Sequence, residues 1–78
     1  MLTGLQLRCG RFALRWSVQD LADRSRVSTS TIKRIEMEDG TPNSTAANLA
    51  ALETALEAAG IEFIGTPDDG PGIRIHQP

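Results

Sequence analysis

The sequence predicts an all-α domain of four to five short helices carrying a short C-terminal β-hairpin. Three observations point there. Apolar residues recur at three- and four-residue spacings as far as Ala59, hydroxyl side chains stand where helices would begin, and the apolar period turns to two after Gly60. The division that follows is a helical domain over residues 1–60 and a hairpin tail over residues 61–78.

Leu5, Leu7, Phe12, Leu14 and Trp16, set among Arg8, Arg11 and Arg15, give a first helix reaching to about Trp16, weakened a little by Gly10. Ser17 then caps a second helix, with Asp20 three places on at the positive end of its dipole. Val18, Leu21 and Ala22 supply its apolar face, and it ends near Arg24 or Ser25. Ser28 opens a third helix from Thr29 to about Met37, with Ile32 and Ile35 inward and Thr29, Ser30, Lys33 and Arg34 outward. The run Glu38-Asp39-Gly40-Thr41-Pro42-Asn43 reads as a turn, after which Asn43 or Ser44 can cap a fourth helix over Thr45–Ala59, stopped by Gly60. Ile61–Ile64 and Ile73–His76 alternate as strands on either side of a loop rich in Gly, Pro and Asp.

Seventy-eight residues hold one modest core, which excludes multidomain enzymes. A single thiol, Cys9, leaves no intrachain disulfide and no four-cysteine metal site, so a reducing cytoplasm is the expected compartment. The segment MLTGLQLRCG lacks a basic start followed by an apolar stretch, and no run of about 18 apolar residues occurs, so neither export nor membrane insertion is expected. The formal net charge of −2 argues at face value against a nucleic-acid partner. The charge is split, however. Arg8, Arg11, Arg15, Arg24, Arg26, Lys33 and Arg34 face only Asp20 and Asp23 between positions 8 and 34, and all the remaining acids follow position 35. Because salt screens each patch beyond about 10 Å, the local field decides what is bound.

Two short capped helices separated by a turn of about three residues around Ser25-Arg26-Val27 make a helix-turn-helix pattern. In that arrangement the second helix enters the major groove with its first turn against base edges, while flanking segments meet phosphates. The segment WSVQDLADRSRVSTSTIKRIE resembles the DNA-binding unit of the Cro and phage-repressor (XRE-type) family, through Leu21-Ala22, Val27-Ser28, Thr31-Ile32 and Arg34-Ile35-Glu36. The resemblance extends more weakly from Leu5 to Gly60 and implies a lambda-repressor-like fold.

It also implies roles, position by position. Thr29, Ser30 and Arg34 stand where relatives reach base edges, with Lys33 close enough for base or phosphate, and Arg34 suits the bidentate contact to guanine. Ser17 and Ser28, with Arg15 and Arg26, are the expected phosphate contacts. Arg11 and Glu36 stand where relatives pair the first helix with the end of the third, the alternative being an exposed, accidental arrangement. Three features depart from the pattern. Arg26 replaces a common turn glycine, Met37-Glu38-Asp39 is long and acidic, and Val18 stands where many relatives carry a DNA-contacting glutamine.

The hairpin must bury one face, because an isolated two-stranded hairpin is marginal in water. Ile61, Phe63, Ile73 and Ile75 can pack on the fourth helix of their own chain or meet a second copy, and the dimer is the preferred reading. Cys9 reads as a small packing residue, Phe12 and Trp16 as packing aromatics, and His76 as exposed. No metal-ligand spacing, phosphate loop or nucleophile set is evident, so neither catalysis nor a cofactor is expected. The function expected is a cytoplasmic, nucleoid-associated transcriptional regulator that binds a palindromic duplex operator as a homodimer; the alternative is an antitoxin or adaptor acting mainly on another protein.

Overall fold

The computed structural model describes residues 2–76. Four helices and two strands follow in order: α1 (Gly4–Ala13), α2 (Val18–Ser25), α3 (Thr29–Glu36), α4 (Ala46–Ala58), β1 (Ile61–Thr66) and β2 (Asp69–Ile75). The strands pair antiparallel, Ile61 opposite Ile75 and Phe63 opposite Ile73. The all-α, lambda-repressor-like class expected from the sequence is therefore corrected: this is a small mixed α/β domain of four helices and a two-stranded sheet. The physical reason lies in Ile61, only 1% exposed and part of the same apolar cluster as Leu7, Leu21, Ile32, Ile35, Leu52 and Leu56. A hairpin that lends a side chain to the main core is a layer of the domain.

α1 begins earlier than the apolar pattern suggests because Thr3 and Gln6 form a reciprocal cap. The Thr3 hydroxyl accepts from the Gln6 amide at 3.1 Å, and the Gln6 side-chain carbonyl accepts from the Thr3 amide at 2.7 Å. The other end of the Gln6 amide donates to the carbonyls of Ile64 (3.0 Å) and Gly72 (2.8 Å), beside the irregularity in the strand register between Ile64 and Thr66. One buried side chain thus caps a helix and satisfies two carbonyls loosened by the bulge. The remaining amides of the first turn are met by the segment after α3: Gly4 donates to the carbonyl of Gly40 at 3.0 Å and Leu5 to that of Asp39 at 3.4 Å. A Cβ on Gly4 would fall 1.8 Å from the Glu38 carbonyl oxygen, so glycine is what permits this approach.

α1 stops at Ala13, short of Trp16, because Arg15 turns left-handed at φ 58°. Ser17 and Thr45 cap α2 and α4 through the amides of Asp20 and Asn48; the α4 cap is thus Thr45, one or two residues beyond the expected Asn43 or Ser44. The strands run further into the Gly-rich segment than alternation alone predicts. Gly65 and Gly70 take left-handed φ values of 75° and 61°, which lets pairing continue to Thr66 opposite Asp69 and leaves only Pro67 and Asp68 as the loop. Residues 1, 77 and 78 of the expected segments lie outside the described residues. Among the described residues no helix is long and apolar enough to cross a membrane.

Candidate nucleic-acid interface

α2 and α3 are joined by Arg26, Val27 and Ser28. Val27 is buried between them, together with Leu21, Ala22, Ile32 and Ile35. The turn is made by Arg26, which ends α2 in the left-handed region at φ 63°, ψ 20° and donates its amide to the Ala22 carbonyl at 2.8 Å. The sequence marks this position by its want of a glycine, and the conformation costs a non-glycine residue about 1 kcal/mol. Ser25 braces the turn, donating its hydroxyl to the Leu21 carbonyl and accepting from the Val27 amide.

α3 is held from below. Ile32 and Ile35 enter the core, and the Glu36 carboxylate receives two bonds from Arg11 of α1, Nε to Oε2 and Nη2 to Oε1, both at 2.8 Å. Arg11 spends a third donor on the Trp16 carbonyl at 2.9 Å, so the guanidinium ties α1, the α1–α2 turn and the end of α3 together. Hydrogen bonding to Glu36 raises the Arg11 pKa further, against the opposing effect of burial. Arg8 adds a parallel tie, donating to the Glu36 carbonyl and to the Asp39 carboxylate, the latter at 2.8 Å.

With that face anchored, Ser30, Lys33 and Arg34 point outward from α3. All three are exposed, and neither cation forms a salt bridge among the described residues. Thr29 is half-buried at the flank of this face. The structure thus brings three of the four expected base-contacting residues to one open surface and sets the fourth at its edge.

The expected phosphate contacts are less uniform. Ser28 donates its hydroxyl to Thr31 Oγ1 at 2.9 Å and accepts from the Thr31 amide, so a phosphate there would meet the backbone amides of the first turn of α3. At α2 the Asp20 carboxylate accepts from the Ser17 amide at 2.9 Å, and this bond and the Ser17 hydroxyl lower its pKa. A fixed anion therefore already sits at the N-terminus where Ser17 was expected to greet phosphate. Arg26 is exposed in the α2–α3 turn, whereas exposed Arg15 belongs to the C-terminal end of α1.

The hairpin residues divide. Ile61 is in the core, Phe63 and Ile73 pack against it, and only Ile75 stays open, at 54% exposure. Three of the four side chains expected at a dimer contact are thus engaged within their own chain. Cys9 is exposed, not packed, and Phe12 is 65% exposed with the Arg11 guanidinium 4.6 Å from its ring centre; Trp16 is half-buried under Arg24 at 4.4 Å. His76 is exposed as expected, its ring nitrogen 2.6 Å from a Glu62 oxygen.

Sequence reasoning missed two neighbours of this surface. Met37, 83% exposed, extends the outer face of α3 by one turn. Beside it, Arg34 borders a cleft walled by Asn43, Ser44, Thr45 and Asn48 at the start of α4, where the Ser44 hydroxyl is buried with no hydrogen-bond partner among the described residues. The three consecutive polar residues before α4 were the available signal.

A scan of protein-family models and a search of curated proteins return no match to this chain.

Proposed function

We propose that this protein is a sequence-specific regulator of transcription of the Cro and phage-repressor (XRE-type) kind, which reads duplex DNA by laying α3 in the major groove. The observation that supports this best is the contrast between the two sides of α3. Its inner side is fixed by Ile32, Ile35 and the Arg11–Glu36 pair, while its outer side offers Ser30, Lys33 and Arg34 with both cations unspent. Rigid support under exposed, unpaired cationic side chains is what base readout requires, since a bidentate arginine contact discriminates only when its helix is held in register.

In this reading Arg34 addresses guanine, Lys33 and Ser30 adjoining base edges, and Thr29 the flank of the site. Arg26 and the amides that follow Ser28 hold the phosphates, with the Ser17 hydroxyl in a lesser part. The regulator works in the cytoplasm, on the nucleoid, and binds a palindromic operator as a homodimer. The test is anisotropy on duplexes across a salt series. The proposal expects affinity to fall steeply with salt, and Arg34→Ala to lose its preference for a selected sequence over a scrambled one by about tenfold or more. Equal losses on both sequences would remove Arg34 from the reading set.

A second reading, an antitoxin or adaptor subunit, draws on the exposed apolar side chains Leu5, Phe12 and Ile75. Stoichiometric capture of a foreign protein, with no specific DNA shift at moderate salt, would favour it.

A further inference from the structure

Large apolar side chains left in water are few here, and two of them share one helix. Leu5 is 42% and Phe12 65% exposed, and Cys9, also exposed, lies between them. Positions 5, 9 and 12 follow the four- and three-residue steps that align side chains along one face of a helix. The opposite face of α1, with Leu7 and Gly10, is the one spent on the core and on Ile61. α1 therefore carries apolar side chains on both sides, with Arg8, tied to Glu36 and Asp39, beside the outer stripe.

The charges at the two ends of this stripe differ in sign. At the N-terminal end, exposed Glu38 lies against α1 with its backbone abutting Gly4 and forms no salt bridge among the described residues, while the neighbouring Asp39 carboxylate is already held by Arg8 of α1 at 2.8 Å. At the C-terminal end stands Arg15, exposed and free of any salt bridge among the described residues. Such a face is complementary to itself when turned end for end.

We infer that a second copy of this chain docks here, α1 packing antiparallel on α1 about a two-fold axis near Cys9. Leu5 of each copy then meets Phe12 of the other, and Arg15 of each meets Glu38 of the other. The antiparallel helix dipoles add a small favourable contribution. Arg15 is thereby assigned to the Glu38 carboxylate of the second copy and not to phosphate. The inference rests on the homodimer of the proposed function but uses none of the residues assigned to base readout. A contact through one ten-residue helix lies at the small end of interface sizes, so association is weak and depends on concentration.

The test is sedimentation of the full chain over a concentration series, with a short bis-maleimide that joins Cys9 to Cys9 as a second readout. The expected result is a monomer–dimer equilibrium and efficient crosslinking. Phe12→Glu weakens association about thirtyfold or more, as for a central aromatic anchor. Arg15→Glu and Glu38→Arg each weaken it, and the two together restore it; circular dichroism checks that each variant is folded. A monomer at the highest soluble concentration overturns the inference, and so does a dimer indifferent to Phe12→Glu but dispersed by Ile75→Glu. DNA affinity of the Phe12→Glu protein for a single half-site is measured separately, so failure of the dimer and failure of DNA reading are told apart.

Discussion

Arg11 and Glu36 meet through two parallel hydrogen bonds of 2.8 Å, and both side chains are nearly shut off from solvent. They stand 25 residues apart, so the pair decides how α1 lies against the end of α3. Breaking such a pair from one side strands a charge in a dry site. Glu36→Ala is therefore expected to cost about 3–5 kcal/mol, and the double change Arg11→Met with Glu36→Leu much less. Urea unfolding of the three variants measures this. Because the Arg11 pKa lies above its unfolded value, its stabilisation is fully present below that unfolded value and fades only as pH rises through the still higher folded one. Ordinary alkaline buffers should leave the pair unchanged.

Asp20 gives the opposite pH behaviour. Its folded pKa is depressed, first by the hydrogen bond from the Ser17 amide and then by the Ser17 hydroxyl. The stabilisation exists above the ordinary aspartate pKa and is lost as pH falls through the lower folded value. Asp20→Asn should flatten that part of the acid limb, which urea midpoints measured through the acid range will show. A neutral side chain there should also strengthen DNA binding, because the fixed anion beside Ser17 is gone.

Arg26 occupies a conformation that suits glycine. Arg26→Gly should stabilise the fold by about 1 kcal/mol. It should also weaken binding to cognate and scrambled duplexes alike, since the lost cation addresses phosphate. Thermal unfolding and anisotropy on the same samples report both effects, which run in opposite directions.

Gln6 ties the hairpin to α1 with two donated bonds. Gln6→Ala removes those and half of the helix cap, leaving the Ile64 and Gly72 carbonyls to find water. The expected loss is about 1–3 kcal/mol, chiefly from the buried Thr3 amide left without its partner. Amide exchange should show the hairpin opening before α4 does.

How much of this was legible in the sequence follows from the kind of signal each element carries. Ser17, Ser28 and the Ile32/Ile35 spacing are local, and they place α2 and α3 within a residue or so. The strain at Arg26 was legible through the family resemblance, which implies a glycine at that place in the turn, and backbone sterics supply the reason. The role of Gln6 was not legible, since its partners are 58 and 66 residues away and a polar residue near a helix start looks like surface. The class of the fold failed for the same reason: period-two alternation shows that Ile61 and Phe63 share a face, but not that this face closes the core under α1 and α4. Phe12 was misplaced because an aromatic residue in a short helix is usually core, and here Leu7 and Gly10 already fill that side.

The central claim is that α3 reads bases, and selection of bound duplexes from a random pool tests it most directly. The account predicts enrichment of a short motif containing guanine, repeated inversely at about 34 Å between half-site centres, and loss of that enrichment in Arg34→Ala. A pool that stays random through repeated rounds, or a motif that Arg34→Ala selects just as well, would contradict it.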